Sequence, residues 1–554
     1  MTFLFFISTY IILVLSIIGY GIFFSINFTS YNKITNNKIS TGYIGLYGIF
    51  ILILISYLTN IFFPHNTTHN LVVFLIGITF FIYYLFNLKI QTFKDKKYFL
   101  FSLLLSLFAI FYFKNHDDFS YYHLSFIQNI NLNKIEFGLG NFGLPFNHVS
   151  SLFFFHSLFK LPFTNDYFYF IGPASIMVFA NSILTYNIFN FNKNKNLNLK
   201  IFLNILIFLF VNIFFYRLAE HGTDRSAQIL ILLIFLILFE ILEKNTLSKD
   251  KFENFIIILT LIISIKSFYV IYASLLLIIF FKFLKLNEIP FFFKKYKVII
   301  FSFFFGILIL FYNIAYTGCF VFPIKETCFD TFYWGIGDEE IIYAMNWYEL
   351  WSKAGATPTY AVNDPEYYIT GLNWVSTWID NYFFNKVSDT LGGLILIVII
   401  FMFYLKPKKF IFKYNKDFNI IFFILLLFLF EWFYNHPALR YGGYCLLALL
   451  IFIPTSIYLA NQNYNYQKNI KKIKILFFVG VFIFISRNIN RVFNEITIYK
   501  YKPLISPYYR INPEFYRLPK IKNKIFSQTN NCKNLNDVKN ETSCKIINSF
   551  TFFY

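Results

Sequence analysis

The 554-residue chain is 57% hydrophobic and only 14% charged, with a mean hydropathy of +0.57. This composition excludes a soluble protein of that size and makes the bilayer the expected solvent. The net charge of +20 could suggest nucleic-acid binding. However, the lysines lie mostly between hydrophobic segments and no aromatic-basic groove is evident, so we expect no nucleic-acid partner.

Apolar stretches long enough to cross a bilayer recur along most of the chain. Each is roughly 17 to 25 residues, the length at which a helix crosses ~30 Å of hydrocarbon. The pattern predicts an all-α, polytopic integral membrane bundle, not a barrel, with outward loops that carry short helices. We count about fourteen transmembrane helices, near residues 3–28, 43–63, 71–88, 98–114, 167–190, 201–216, 226–242, 254–265, 268–284, 298–315, 388–405, 418–433, 442–460 and 475–486.

The connections between these spans alternate in charge, which predicts their sidedness. By the positive-inside rule, the Lys-rich connections face the cytoplasm and both termini lie outside. The apolar interval 254–284 is interrupted only by Lys266, and two short helices that turn there preserve the alternation, whereas one long helix would invert every later loop. The Lys-rich connections are 33–38, 89–97, 193–200, 244–251, 282–297, 406–416 and 468–474.

This topology divides the chain into membrane segments and outward segments. The outward segments hold most of the polar residues that could carry chemistry. In order, we predict N-terminal transmembrane helices 1–114, an acidic and Gly-rich outward loop 115–166, central transmembrane helices 167–315, a long outward loop 316–387, C-terminal transmembrane helices 388–486, and an outward tail 487–554.

Four of the five cysteines are paired by this topology. Cys319 and Cys328 share the long outward loop, and Cys532 and Cys544 share the tail, so two short-range disulfides are expected in an oxidising exterior. The alternative is four free thiols. Cys445 lies alone in an apolar span and is expected to be a buried packing residue.

The first candidate site follows the fourth span, where residues 115–123 read NHDDFSYYH. A carboxylate at a membrane-water boundary, Asp117 or Asp118, can accept a proton or ligate a divalent cation such as Mg²⁺ or Mn²⁺. His123 could orient a substrate or bind phosphate. The alternative is a solvated helix end with an interfacial aromatic belt. The Gly-rich stretch 137–148 predicts a structured loop and adds His148 as a candidate.

Two short outward turns supply further charges. The turn 217–225 contains Asp224 and Arg225, which could face the same site as Asp117 or could form local ion pairs. Lys266, at the next outward turn, suits a lipid phosphate, although it could also snorkel to the interface.

The last short outward loop, 436–443, contains His436 and Arg440. An arginine stays charged and grips phosphate oxygens in a bidentate fork, so Arg440 is the predicted phosphate ligand. The alternative is an arginine that anchors lipid headgroups. The long outward loop adds carboxylates among tryptophans, which suits sugar binding or interfacial anchoring.

With these residues, the chain resembles the GT-C superfamily of polytopic glycosyltransferases, which take a sugar from a polyprenyl-phosphate carrier at the outer membrane face. Those enzymes have an acidic residue or pair in an early outward loop, where Asp117 and Asp118 stand here, followed by an amphipathic segment, as at 124–160. In many GT-C enzymes the acidic loop follows the first span, whereas here it follows the fourth, so three additional helices would precede the shared module.

The chain is also similar to a large bacterial family of multi-pass membrane proteins. Its members share a DDFSYYHL-like loop, a GTD turn, an outward loop with cysteines and a P-x-x-R-[YF]-G segment. These are matched here by residues 117–124, 222–224, 319–328 and 437–442.

The resemblance implies transfer of a sugar from a polyprenyl phosphate to a glycan, lipid or protein acceptor. We expect the protein in a bacterial inner membrane with its active face in the periplasm. Arg440 would hold the donor phosphate, assisted by Lys266 or Arg225, and Asp117 or Asp118 would act as general base. Three other functions stay open: a polysaccharide polymerase or ligase that depends on Arg and His residues, a transporter or flippase of lipid-linked glycans, and a purely structural or interaction protein.

Overall fold

The described part of the chain is built almost entirely of helices. A computed structural model describes residues 2–30, 40–87, 95–190, 199–220, 222–283, 296–356, 362–406, 416–461, 466–511, 522 and 544–554. The helices are α1 (Phe3–Phe28), α2 (Thr41–Phe62), α3 (Thr67–Asn87), α4 (Lys96–Ile110), α5 (Leu124–Leu132), α6 (Ser151–Ser157), α7 (Ile171–Phe189), α8 (Leu199–Phe214), α9 (Thr223–Lys244), α10 (Lys249–Ile265), α11 (Leu275–Phe283), α12 (Lys297–Thr317), α13 (Asp338–Lys353), α14 (Pro365–Ile369), α15 (Val375–Trp378), α16 (Ser388–Leu405), α17 (Lys416–Asn435), α18 (Gly443–Ala460) and α19 (Tyr466–Tyr499). The strands β1 (Cys544–Ile547) and β2 (Phe550–Phe553) form an antiparallel pair.

Nine helices in these ranges are long and apolar enough to cross a membrane. The all-α prediction is therefore confirmed, and each of the fourteen predicted segments overlaps a helix. The nine are Phe3–Phe28, Thr41–Phe62, Thr67–Asn87, Ile171–Phe189, Thr223–Lys244, Lys297–Thr317, Val375–Leu405, Asp417–Asn435 and Gly443–Ala460.

The helices differ in how much of their surface the bundle covers. Helices α7 and α9 lie in the centre and are almost fully buried, whereas α3, α12 and α17 present apolar side chains outward. Phe86, Phe303 and Phe423 are among these exposed side chains. A soluble monomer rarely exposes such extensive apolar surface, so these faces are compatible with the apolar interior of a bilayer.

Polar contacts at one end of the bundle join segments that the charge pattern assigns to the same side. Lys200, at the start of α8, pairs with Glu240 near the end of α9 at 2.9 Å. Glu253, near the start of α10, accepts a hydrogen bond from the backbone N–H of Ser30, just after α1, at 2.9 Å. The helices thus alternate in direction here, as the loop charges predict. The Lys-rich connections 33–38, 89–97, 193–200, 282–297 and 406–416 lie wholly or largely outside the described residues.

The apolar interval 254–284 is two helical segments, as predicted. Its break is at Lys266, whose backbone is extended. Lys266 pairs with Asp224 at the start of α9, whereas Lys282, near the end of α11, pairs with Asp417 near the start of α17. Since α17 runs from Asp417 toward the Lys266 end of the bundle, the segment after Lys266 must return to the opposite end.

The last long helix departs from the prediction. The span was expected at 475–486 with the tail beginning at 487, but α19 continues without a break to Tyr499. Hydropathy falls at Arg487 because a polar face begins there. That face stays helical because Arg491 and Glu495 form buried contacts with neighbouring loops. The segment beyond the helix therefore begins after Tyr499.

The C-terminal residues fold back onto the outward loop 115–166. Phe137 donates its backbone N–H to Thr551 at 2.9 Å and accepts from the N–H of Phe553 at 2.8 Å. Lys522 is buried and pairs with Glu136. The loop and the described end of the tail therefore form one packed unit.

The cysteines follow the predicted arrangement where they are described. Cys319 and Cys328 form a disulfide in the long outward loop. Cys544 is disulfide-bonded, and its predicted partner, Cys532, lies outside the described residues. Cys445 is a free, buried cysteine, as expected for a packing residue.

Candidate functional site

The predicted acidic pair, Asp117 and Asp118, opens the helix that follows α4. This helix passes through a π-helical turn, Phe119–His123, and continues as α5. Consecutive helical residues point about 100° apart, and the two carboxylates accordingly have different surroundings. Asp118 is partly buried, whereas Asp117 is exposed. A π-helical turn re-aims the side chains around it and is frequent at functional sites.

Arg440 connects the acidic turns. Its Nε donates to Asp224 Oδ2 at 2.9 Å, and a terminal guanidinium nitrogen donates to Asp118 Oδ2 at 2.6 Å. Lys266 pairs with the other carboxylate oxygen of Asp224. These four residues, from four predicted outward loops, are called the charge cluster below.

The charge cluster is electrically balanced, with two carboxylates and two cations. Burial raises the pKa of the Asp118 carboxyl, but the charge of Arg440, together with the charges that His123 and His116 carry when protonated, outweighs burial and holds that pKa below its ordinary value. A carboxylate with a lowered pKa is a weaker proton acceptor. No ion pair among the described residues includes Asp117, so Asp117 is the better placed of the two as a base.

Aromatic rings border the cations of the cluster. The guanidinium carbon of Arg440 lies 5.4 Å from the ring centre of Trp351 and 5.9 Å from that of Tyr441. Lys266 Nζ lies 4.8 Å from the Tyr441 ring centre. Cation–π attraction at these distances helps to fix both side chains. Because Trp351 is on α13, the long outward loop also contributes to the site.

His123 is buried beside the cluster, with only 6% of its surface exposed. Its Nε2 has no hydrogen-bond partner among the described residues. Burial lowers the pKa of His123 to about 4, although the charges of Asp118 and Asp224 oppose the shift. The imidazole is therefore neutral at neutral pH. Gly222 lies against the ring with φ +60°, and a Cβ there would stand 3.0 Å from Cε1, so the GTD turn requires glycine at this position.

The buried His123 predicts a dependence of stability on acid. Between pH 6.5 and about 4 the unfolded chain binds a proton at this imidazole that the folded chain does not. The free energy of unfolding that depends on a neutral His123 is therefore fully present above pH 6.5 and is lost as the pH falls toward 4. We expect His123→Gln to reduce the pH slope of the unfolding free energy by up to about 1.4 kcal/mol per pH unit. Denaturation in detergent between pH 4 and 7 measures this, and equal slopes for both proteins would contradict it.

The other predicted histidines lie around the cluster. The His436 ring centre is 5.8 Å from the rings of both Phe268 and Tyr441, and the Tyr441 ring also borders Lys266 and Arg440. His148 is exposed, and its ring lies 4.7 Å from that of Tyr348 on α13.

Arg225 stands apart from the cluster although it follows Asp224 directly. Its guanidinium carbon lies 5.3 Å from the ring centre of Phe215 and 5.7 Å from that of Tyr444. Helix α9 begins at Thr223, so Asp224 and Arg225 are consecutive helical residues and their side chains diverge. The proposed assistance of Arg225 in binding phosphate therefore has no support in this geometry, and Lys266 is the better candidate.

A second buried ion-pair group joins the turn 217–225 to α19 and was not predicted from the sequence. Arg491 donates to Glu220 at 2.5 Å and, through its other terminal nitrogen, to the backbone carbonyl of Phe111 at 2.7 Å. Glu220 also pairs with Arg217. Arg491 thus joins the ends of α4 and α8 to α19. The spacing of Arg487, Arg491 and Glu495 at every fourth residue was the available signal, because it places all three on one helix face.

Removing Arg491 should destabilise the fold. Arg491 is 6% exposed and Glu220 1%, so Arg491→Met leaves a buried carboxylate with only Arg217. We expect the unfolding free energy to fall by about 3 kcal/mol. Thermal unfolding in detergent measures the change, with the exposed Arg487→Met as control. Glu220→Met combined with Arg491→Met should recover part of the loss. A single variant as stable as the native chain would contradict the expectation.

The alternative role of Asp117 and Asp118 as ligands of a divalent cation does not fit the donors present. Asp118 is bound to Arg440, and Asp117 points into solvent. Within the described ranges there is no group of three or more His, Cys, Asp and Glu residues that could hold a metal ion.

The fold and site define an all-α bundle whose long apolar helices suit a membrane, with a charge cluster at one end of the bundle. The chain belongs to the family described as a domain of unknown function, DUF8201, whose sequence profile matches residues 1–447. All four residues of the charge cluster and Asp117 lie within the matched segment. No curated protein and no solved structure matches the chain.

Proposed function

We propose that this chain is a multi-pass membrane glycosyltransferase of the GT-C kind, which transfers a sugar from a polyprenyl-phosphate donor to an acceptor in cell-envelope glycan or glycoconjugate synthesis. The observation that carries the proposal is the charge cluster, in which Arg440 binds Asp118, the residue next to the exposed Asp117 in the chain, and Lys266 binds Asp224. One site thus offers both phosphate-binding cations and a proton acceptor.

We further propose that the bundle crosses the inner membrane of a bacterium about fourteen times, with both termini and the charge cluster in the periplasm. The Lys-rich connections support this orientation. The exposed apolar faces of α3, α12 and α17 support the membrane itself. Membrane lipids are therefore constant partners of the chain.

Arg440 retains the capacity to bind phosphate. A guanidinium has five N–H donors in a planar fork, and the bonds to Asp224 and Asp118 use two of them. The side chain is 29% exposed, so a ligand can approach it. Lys266 adds an ammonium group at the other carboxylate oxygen of Asp224. Asp118 and Asp224 hold both cations in place before the donor arrives, which reduces the reorganisation that binding requires.

Asp117 is the general base in this mechanism. The oxygen of an acceptor hydroxyl attacks the anomeric carbon while its proton passes to Asp117. The bond from that carbon to the donor phosphate oxygen breaks, and its electron pair leaves with the polyprenyl phosphate. Because attack and departure occur on opposite faces, the anomeric configuration inverts. Arg440 and Lys266 stabilise the charge that develops on the phosphate, and Asp117 then releases its proton to solvent.

The test is transfer of labelled sugar by the purified full chain in lipid, with a panel of polyprenyl-phosphate sugars and mixed glycan, lipid and peptide acceptors. We expect at least one donor to yield a product of inverted anomeric configuration by nuclear magnetic resonance. A product of retained configuration would overturn the mechanism. Absence of product from every donor would overturn the assignment of donor class.

A polysaccharide polymerase or ligase is the second candidate, and the position of His436 favours it. The imidazole packs against Tyr441, whose ring borders Arg440 and Lys266, so it could replace a carboxylate as base. Burial lowers the pKa of His436 to about 4, so the ring is neutral at neutral pH, as a base must be, but it is a weaker proton acceptor than an ordinary imidazole. This alternative predicts activity that survives Asp117→Asn and is lost in His436→Gln, the opposite of the first proposal.

A further inference from the structure

A cleft of about 470 Å³ opens between the turn at 165–167 and the segment 506–511 that follows α19. It is separate from the charge cluster, and its volume falls in the range of small-molecule sites, about 300–1,000 Å³. Residues 165–167 lie within the segment matched by the family profile, whereas 506–511 lie beyond it.

Tyrosines join the two walls of the cleft. Tyr167 and Tyr508 stack with ring centres 3.7 Å apart and an interplanar angle of 18°. Tyr509 is buried, and its hydroxyl donates to the backbone carbonyl of Asp166. Both contacts fix segment 506–511 against the turn at 165–167, so the cleft has rigid aromatic sides.

Asp166 provides a fixed acceptor in the cleft. One carboxylate oxygen accepts from Tyr169 at 2.8 Å and pairs with Lys160 at 3.1 Å, while the other accepts from Gln128 at 3.0 Å. A carboxylate has about four acceptor sites, so these three partners leave one for a ligand.

Arg510 provides donors in the opposite wall. Its side chain is exposed, while its backbone is fixed by an N–H···O bond to Phe113 at 3.0 Å. Its backbone carbonyl accepts from Asn115 Nδ2 at 2.9 Å. Because Asn115 is only two residues before Asp117, the cleft borders the segment that carries the proposed base.

We propose that this cleft binds a carbohydrate. A sugar ring has apolar C–H faces that pack against tyrosine and hydroxyls that pair with a carboxylate and a guanidinium, the groups that line the cleft here. Its role as the acceptor site rests on the proposed glycosyltransferase function. The binding itself does not.

The sugar could belong to a free glycan or to the headgroup of a glycolipid. Leu504 and Ile505, next to the cleft, are each 70% exposed. Such side chains suit contact with lipid at the membrane interface. A glycolipid acceptor would place its headgroup in the cleft while its tails stay in the bilayer, so both sources are tested separately.

The experiment measures binding by saturation-transfer nuclear magnetic resonance to the full chain in lipid nanodiscs. The free probes are disaccharides of N-acetylglucosamine, galactose and rhamnose. In a second arm, the same disaccharides are carried on a lipid in the nanodisc, with lipid lacking sugar as reference. We expect at least one probe to bind. Its affinity should fall at least tenfold in Tyr508→Ala and in Arg510→Ala, and stay unchanged in the exposed control Lys502→Ala.

Tyr508→Phe keeps the stacked ring and is the control for misfolding of Tyr508→Ala. It should bind the probe within about twofold of the native chain. Binding only in the second arm identifies a glycolipid headgroup. Failure of every probe in both arms, or binding that survives both alanine variants, overturns the proposal. Transfer assays on the same samples separate the two hypotheses. Probe binding without transfer contradicts the glycosyltransferase, whereas transfer by a native chain that binds no probe contradicts the cleft.

Discussion

Asp117→Asn should lower the rate of sugar transfer by about 10²-fold or more while leaving thermal stability unchanged. The amide keeps the size of the side chain but cannot accept the acceptor's proton. Stability should not change because Asp117 is exposed and lies outside the ion pairs described for the charge cluster. The measurement is the initial rate of transfer from a polyprenyl-phosphate sugar in lipid, together with the melting temperature of the same preparation.

Two matched variants make this prediction specific. Glu340→Gln removes an exposed carboxylate from α13 and should change neither quantity. Asp118→Asn should lower both rate and stability, since Arg440 then loses one of its two carboxylate partners. If Asp117→Asn transfers sugar at the native rate, Asp117 is not the base, and the polymerase or ligase alternative based on His436 becomes the better hypothesis.

The positions of the helices could be predicted because a bilayer-spanning helix needs an uninterrupted apolar length. The same rule, combined with loop charge, predicted the break at Lys266, where hydropathy alone left one helix or two. It failed at Arg487, because apolar length indicates where a membrane could end and not where a helix ends. Helix α19 continues because Arg491 has a buried carboxylate partner, Glu220. The spacing of Arg487, Arg491 and Glu495 indicates a shared helix face, but it does not reveal a partner 271 positions away.

The individual residues of the site were largely predictable, but their connections were not. Charged residues in an apolar chain are conspicuous, so Asp118, Asp224, Lys266 and Arg440 were all identified from sequence. That Arg440 binds Asp118 across 322 positions depends on the packing of the whole bundle.

Neighbouring residues were the hardest to separate from sequence alone. Asp117 differs from Asp118, and Arg225 from Asp224, only through the rotation of the helix on which each pair lies. A helix start shifted by one residue would exchange the members of either pair. Sequence analysis locates a helix end only to within a few residues, which is too coarse for this distinction.

Arg440→Gln should lower the free energy of unfolding by about 3 kcal/mol. This loss should exceed the effect of removing Arg225, another cation at the same end of the bundle. The change leaves Asp118 without its cation and Asp224 with Lys266 alone. The lower end of the range for broken buried pairs applies because Arg440 is partly exposed. Unfolding by denaturant in detergent measures the loss. Arg225→Gln is the matched control and should lower the free energy of unfolding by about 1 kcal/mol, since Arg225 stacks on aromatic rings and is not part of the charge cluster.

A double-mutant cycle decides whether the charge cluster acts as a unit. Asp224→Asn and Arg440→Gln together should be less destabilising than the sum of the single changes, by about 1–3 kcal/mol, because the double variant no longer leaves these two charges unpaired. Arg225→Gln combined with Asp224→Asn should show a smaller coupling, because Arg225 contacts Phe215 and Tyr444 and shares no ion pair with Asp224. Additive losses for Arg440 and Asp224 would mean that the two side chains do not interact energetically. Asp118 alone would then restrain Arg440 before the donor binds, and the preorganisation of the phosphate site by Asp224 would be wrong.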